Sequence, residues 1–316
     1  MSEKNLVICD RESLYAEGLA ENVSMRSEFA LNVYTFTSME HIIRFQQKKN
    51  IHILVIDEKF LAEEREKLSA EQIFVLTKDS CKDLQEYERE IFKFQSSDVI
   101  LAEIFEKYCE SGTGSILKSN RKKKHRVVAV YSPIHRIGKT TFSIAFGKEL
   151  AKHERVLYLN LEDYADHRFE SGNQRNLGDL LYFMKQEKGD FALRIANTVG
   201  KMEDLDYIAP ISNHMDLRGV TFSEWSNFLE ELSKESIYET IILDLGESVQ
   251  GLFDILEGCD KIYMPILSDE SSVEKLHRYE DTVTFLQMNK IIQKTYQFET
   301  EDNMEECARR LAKEEW

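Results

Sequence analysis

The chain has 316 residues, 42% of them hydrophobic and 31% charged, with a formal net charge of −16. That length accommodates two ordinary domains, each with its own core. The acidic balance argues against general binding to nucleic acid, whose phosphates would repel such a surface, and against more than a peripheral contact with anionic lipid.

The opening MSEKNL lacks the charged-then-apolar pattern of a secretory signal, and no apolar run is long enough to span a bilayer. The five cysteines (Cys9, Cys81, Cys109, Cys259, Cys307) form no C-x-x-C pair and have no histidine at metal-ligand spacing. Neither a disulfide framework nor a zinc site is expected, and a reducing cytoplasm fits.

From residue 5 onward, short apolar runs alternate with helix-like stretches. The runs NLVIC, LNVYTF, IHILVI, QIFVL and EIFKF predict five strands. ESLYAEGLAENV, SMEHIIRFQQKK, EKFLAEEREKL, DSCKDLQEYER and SSDVILAEIFEKY predict a helix after each. Strand and helix in strict alternation imply a parallel sheet covered on both faces. Four polar residues fall at or near strand ends: Asp10, Asp57, Thr77 and Lys93. In an open parallel sheet such ends converge on one crevice. Each alone is an ordinary turn or cap residue.

Together they give this half a resemblance to the receiver domains of two-component response regulators. The resemblance implies Asp57 as phospho-acceptor, Asp10 as metal ligand, Thr77 as switch hydroxyl and Lys93 as the amine pairing with phosphate. The chain departs from that pattern at Arg11, where a second acid is usual, and at Phe94, where proline usually follows the lysine. A pseudo-receiver used for docking and a working phospho-switch are both open readings.

Residues 110–126, ESGTGSILKSNRKKKHR, show no apolar periodicity and carry a basic cluster from Arg121 to Arg126. They read as a linker between a domain at 1–109 and a second at 127–316. Contact of that cluster with DNA or lipid headgroups is the alternative to a solvated linker.

The second half restarts the alternation with VVAVY, RVLYLNL, DYIAP, TIILDL and KIYMPIL as strands. Thr221 with Glu224 predicts a capping box ahead of Phe222, Trp225, Leu229 and Leu232. Asn303 with Glu306 opens a last helix bearing Met304, Cys307, Ala308 and Leu311. Between the first strand and the next helix stands YSPIHRIGKTT. A strand, a loop closed by Gly138-Lys139-Thr140-Thr141 and a helix form the context of a phosphate-binding loop. Lys139 is placed to neutralise outer phosphates, and the Thr140 hydroxyl to ligate Mg²⁺. Asp244, at the end of TIILDL, is placed to hold that metal through water.

These motifs make the second half similar to the MinD/ParA group of deviant phosphate-loop ATPases, over about Val127 to Asp281. The loop of that group reads K-G-G-x-G-K-T-T. Pro133 fills this chain's first Gly position in the general motif, Ile134 stands at the lysine of the deviant one, and His135 and Arg136 stand at its two glycines. The resemblance implies ATP and Mg as cofactors, Arg136 as a further phosphate contact, Pro265 near the adenine, and Glu162 as the residue left to position a water. Asn160 and Glu162 replace the usual aspartates of the first switch, and Gly246 replaces the proline of the second. Binding with little hydrolysis and a loop that only packs are both compatible with these exchanges.

A receiver-like domain followed by such an ATPase domain is the arrangement of the CpaE/TadZ proteins. That resemblance implies a flavodoxin-like five-stranded parallel sheet and then a mostly parallel P-loop sheet. It also implies a homodimer, partners in the pilus or secretion machinery of Tad (Flp) systems, and a location at the cell pole. The rivals are an active MinD/ParA-type ATPase moving cargo, and a response regulator whose Asp57 controls the second domain. The acidic final helix (Glu305, Glu306, Glu314, Glu315) is expected to dock on its own domain, with Trp316 as an anchor.

Overall fold

A computed structural model of the chain describes residues 4–25, 29–79, 83–110, 125–165, 175–186, 191–301 and 303–314. Two compact units emerge, one from Met1–Lys118 with Gly189–Asn197, the other from Ser119–Lys188 with Thr198–Trp316. Both are α/β units built on parallel sheets.

The first begins with β1 (Lys4–Cys9), α1 (Ser13–Met25), β2 (Leu31–Phe36), α2 (Met39–Gln46) and β3 (Ile51–Asp57). It continues with α3 (Ala62–Arg65), β4 (Ala70–Thr77), β5 (Glu88–Phe92) and α4 (Ser97–Glu110). Its sheet has the order β2-β1-β3-β4-β5 with every pairing parallel, the doubly wound order whose ligand crevice lies beyond the strand ends. The central strands are apolar throughout because both faces are covered. Leu6, Ile8, Ile53, Val55, Phe74 and Leu76 pack with α1 and α4, while Val7, Cys9, Leu54, Ile56, Ile73 and Val75 pack with Ile42 of α2 and with Phe60.

The helix expected over DSCKDLQEYER does not form. Residues 83–87 are turns and irregular chain leading straight into β5, and residues 80–82 lie outside the described set. Among its described residues only Leu84 packs against the core, too little for an apolar helical stripe. A buried ion pair fixes this connection instead. Arg65 is 1% exposed, its Nε donates to Glu88 Oε1 at 2.7 Å, and its guanidinium also donates to Glu88 Oε2 and Asp83 O, each at 2.8 Å.

The second unit runs β6 (Arg126–Val130), α5 (Lys139–Ala151), β7 (Val156–Leu161) and α6 (Leu177–Lys185). Then come α7 (Phe191–Thr198), which lies mostly in the first unit, β8 (Val199–Met202), β9 (Leu205–Ile208), α8 (His214–Gly219), α9 (Phe222–Glu235) and β10 (Thr240–Leu245). It closes with α10 (Leu252–Gly258), β11 (Lys261–Ile266), α11 (Glu270–Phe285), α12 (Asn289–Lys294), β12 (Thr295–Glu299) and α13 (Met304–Lys313).

Its sheet has the order β12-β11-β6-β10-β7-β9-β8, parallel except for the β8–β9 pair. The crossover from β6 to β7 passes β10 on one side, and that from β10 to β11 passes β6 on the other. The chain therefore reverses beside β6 and β10, and a crevice opens at their C-terminal ends.

Both caps read from the sequence are present. Thr221 accepts from Glu224 N in a full capping box, and Asn303 accepts from Glu306 N. The last helix docks on its own unit: Cys307, Ala308, Leu311 and Ala312 join Phe142, Phe146 and Leu150 of α5 in one buried cluster. Each fully buried leucine or phenylalanine among them contributes roughly 1.5–3 kcal/mol, and each alanine less. Most of the basic cluster (121–124), Glu315 and Trp316 lie outside the described residues; Arg126 begins β6 and pairs with Glu154 at 2.7 Å. Among the described residues no helix is long and apolar enough to cross a membrane.

Candidate functional site

The loop between β6 and α5 bends back through two left-handed residues. Gly138 has φ +82° and Arg136 has φ +56°. Glycine enters that region freely, whereas a side chain there costs about 1–2 kcal/mol. Arg136 thus takes a backbone conformation that favours glycine, with its side chain exposed. Gly138 is also close-packed, since a Cβ there would lie 3.1 Å from Met304 Cγ. Ile134 is buried, at 4% exposed. His135 is exposed and faces Glu247 at 3.5 Å.

α5 begins at the end of this loop, and its first N–H groups lack intrahelical partners. With the positive end of the helix dipole they suit an anion. Lys139 is 7% exposed; its Nζ donates to Leu245 O at 3.1 Å and pairs with Glu162 Oε1 at 2.8 Å. Leu245 ends β10 and Glu162 follows β7, so one ammonium joins the ends of two strands to the loop.

Asp244 is fully buried at the end of β10. Burial pushes its carboxyl up to about 6. The Thr140 side chain, close enough to act on the carboxylate, draws it down, Glu162 adds to the rise, and Lys139 and the Tyr158 hydroxyl oppose it. Tyr158 Oη donates to Asp244 Oδ2 at 2.9 Å. Asp244 Oδ1 has no partner of hydrogen-bond geometry among the described residues. An unpaired buried carboxylate oxygen costs stability unless something polar completes it. A metal-bound water beside Thr140 would do so, and these residues fit a magnesium–nucleoside phosphate.

Gly246 lets the two strand ends close up. Its N–H donates to Leu161 O at 3.2 Å, and a Cβ there would stand 3.0 Å from that same oxygen. A proline at this position would have neither the N–H nor the room.

The fold thus brings Lys139, Thr140, Glu162 and Asp244 together. Thr141 instead lines a groove with Lys148, Glu305 and Arg309. Pro265 is buried in β11 opposite Phe298, beyond the pairing with β6, which stops at Tyr263. Tyr158 carried no sequence signal, because a tyrosine within VLYLNL reads as core.

In the first unit Asp10, Asp57, Lys93 and Thr77 are all buried. Lys93 Nζ donates to Asp10 Oδ2 at 2.5 Å and also to Asp57 Oδ2. The remaining oxygens accept backbone N–H groups: Asp10 Oδ1 from Glu12 at 2.9 Å, Asp57 Oδ1 from Lys59 at 2.8 Å.

Burial raises Asp10. In Asp57 it is outweighed by the bonds from Lys93 and the Lys59 N–H, which bring the carboxyl below its usual range. Burial also opposes the charge on Lys93, yet its two carboxylate partners hold the ammonium above its usual range. The Tyr15 ring lies 4.4 Å from Lys93 Nζ, and a Lys59–Glu12 ion pair of 2.7 Å stands outside the triad. Thr77 Oγ1 points to Ile91 O at 3.5 Å, and Arg11 lies over the Phe60 ring. Every carboxylate oxygen of the pair is used, and the lysine ammonium supplies the cation between the two acids. No group of three or more metal-ligating side chains is arranged for an ion among the described residues.

No protein-family model and no curated protein matches this chain. Solved structures that match part of it include a putative plasmid partition protein from Borrelia burgdorferi bound to AMPPNP. That match has 16% identity over 61% of this chain and 84% of that one, with a TM-score of 0.43. A ParA family ATPase from Chlorobium tepidum matches at 15% identity over 59% and 90%, with a TM-score of 0.43. The MinD cell division protein of Aquifex aeolicus matches at 18% over 59% and 73%, with a TM-score of 0.44.

Proposed function

We propose that the second unit binds ATP with Mg²⁺ and holds it as a long-lived ligand, in a localisation or assembly factor of the CpaE/TadZ type. The observation that carries this reading is the convergence of Lys139, Thr140 and the fully buried Asp244 at the start of α5, with Asp244 Oδ1 lacking a partner of hydrogen-bond geometry among the described residues. In it the α5 N–H groups and Lys139 take the phosphates, while Thr140 and Asp244 take the metal and its water. Magnesium would supply charge neutralisation across the terminal phosphates. Lys139 exchanges Glu162 for phosphate, keeping its bond to Leu245 O.

Slow turnover follows from what the loop lacks. A buried isoleucine at 134 offers no cation to charge developing on a partner's phosphate. Glu162 pairs with Lys139 until phosphate takes the ammonium, and once released it reaches a water on a longer arm than an aspartate. The first unit is proposed to be a pseudo-receiver, its acceptor position closed by Lys93. The chain would associate as a two-fold dimer and serve pilus or secretion machinery at a cell pole.

The test is titration calorimetry of the full chain with Mg·ATP alongside a phosphate-release assay. Binding that Lys139→Ala abolishes is expected. Release should run at least a thousandfold below the ~10 per second common among enzymes. Brisk release lost in Lys139→Ala would make the protein a motor ATPase instead.

A further inference from the structure

The hydroxyl of Tyr158 lies in a short, fully buried chain of polar groups that the reading above leaves unused. Tyr158 sits on β7, in register with Ile242 of β10, so its side chain reaches along the sheet to Asp244 two residues on. Its hydroxyl donates to Asp244 Oδ2 at 2.9 Å. Asn160 Nδ2 donates to that hydroxyl at 3.1 Å, and Asn160 Oδ1 accepts the Glu162 N–H at 3.0 Å. Tyr158 and Asp244 are 0% exposed and Asn160 is 2% exposed.

Each bond fixes the direction of the next. The backbone N–H of Glu162 can only donate, so it takes the carbonyl end of the Asn160 amide. The NH₂ end must then face the tyrosine oxygen. A hydroxyl that receives a bond there turns its single proton onward, and the carboxylate is the acceptor it meets. Oδ2 of Asp244 is therefore occupied, and Oδ1, in a carboxylate on which Thr140 also pulls, has no partner of hydrogen-bond geometry among the described residues. An aspartate at 160 would break this chain, because it has no donor for the tyrosine and would add a second buried negative charge beside Asp244.

We infer that Tyr158, turned by Asn160, is a positioning residue that presents Oδ1 of Asp244 to the magnesium-bound water. This rests on reading the pocket as a magnesium–nucleotide site. It goes beyond that reading in assigning the orientation of the metal's carboxylate to a tyrosine on the neighbouring strand. Outer groups that orient a metal's ligands commonly alter metal affinity by about 10- to 100-fold.

The experiment compares ATP affinity in excess Mg²⁺ with that in EDTA, by calorimetry on the full chain. It uses the parent protein, Tyr158→Phe, Asp244→Asn and the double variant. The magnesium-dependent gain should fall about tenfold or more in Tyr158→Phe, with the EDTA affinity unchanged. The double variant should lose no more gain than Asp244→Asn alone. A loss of affinity equal in Mg²⁺ and EDTA, or an intact gain, would overturn the inference and leave the nucleotide reading standing. A parent chain that binds no ATP under either condition overturns both.

Should Tyr158→Phe fail to fold, Asn160→Ala keeps the ring and frees the hydroxyl to turn. It is expected to lose about fivefold of the same gain, the worth of one neutral hydrogen bond. An unchanged gain there also overturns the inference.

Discussion

Lys139 already has a carboxylate partner. Glu162 sits on it at 2.8 Å, 27% exposed against 7% for the lysine. A tethered carboxylate is thus the first competitor that any phosphate meets. Removing its charge should help binding: Glu162→Gln is expected to tighten ATP affinity about three- to tenfold, since a half-screened pair is worth on the order of 1 kcal/mol. Calorimetry on the two proteins measures it, and weaker binding in the variant would show that Glu162 assists the ligand.

Asp244 makes the opposite trade between function and stability. Its folded pKa of about 6 lies above the ordinary 3.8, so the folded chain holds that proton more tightly than the unfolded one does. Stability is therefore greatest below the ordinary value and is lost as pH rises towards 6. The nucleotide-free Asp244→Asn variant escapes that loss. It should be more stable by on the order of 2–3 kcal/mol at pH 7.5, and the gain should about halve by pH 5. The chain has two tryptophans, Trp225 and Trp316, both in the second unit, so urea unfolding followed by their fluorescence reports on the right part of the molecule. A variant less stable than the parent at pH 7.5 would contradict this account of Asp244.

At the scale of elements, the connection from β4 to β5 hangs on Arg65 and Glu88, which are 1% and 0% exposed. Cutting such a pair strands a buried charge, and Arg65→Ala is expected to cost about 3–5 kcal/mol. Thermal or urea unfolding monitored by far-UV circular dichroism checks this, with Arg65→Lys recovering only part of the loss because one ammonium cannot reproduce the forked contact.

The same connection shows where sequence reading runs out. Central strands such as LVIC and ILVI were legible because burial on both faces leaves an unbroken apolar run. β8 and β12 are sheet edges whose residues are largely exposed or half-buried, so VGKM and TYQFE carry no such run. The helix expected over DSCKDLQEYER was a pattern of alternation without an apolar face behind it. Capping boxes survived translation into structure because the bond they predict is local. In the second unit's site, Lys139, Thr140, Asp244 and Glu162 could be found by their place after strands. Tyr158 could not, since only the register of β7 against β10 brings its hydroxyl to a carboxylate 86 positions away.

For the whole molecule, the two units present contrasting sites. One is closed by its own lysine, with every carboxylate oxygen partnered. The other keeps a carboxylate oxygen with no partner of hydrogen-bond geometry among the described residues, and a row of helix N–H groups. The proposed dimer should reflect both this and the charge of −16. Copies carrying that charge repel one another, so association should strengthen as salt rises towards ~0.15 M, where the screening length shrinks to about 8 Å. With Ile134 buried, ATP contributes little across the two-fold axis and should strengthen the dimer only modestly. Light scattering on the full chain, with and without ATP and at two salt concentrations, reads both effects; a monomer throughout would mean that a separate partner brings copies together.

The central claim is that the nucleotide is held and not consumed, and its most direct test is the identity of the nucleotide that stays bound. The full chain would be incubated with Mg·ATP for hours, freed of unbound nucleotide, denatured, and the released nucleotide resolved by chromatography. The account predicts ATP, close to one per chain, and none from Lys139→Ala. Recovery of ADP with phosphate accumulating in the medium, or of no nucleotide at all, would contradict it.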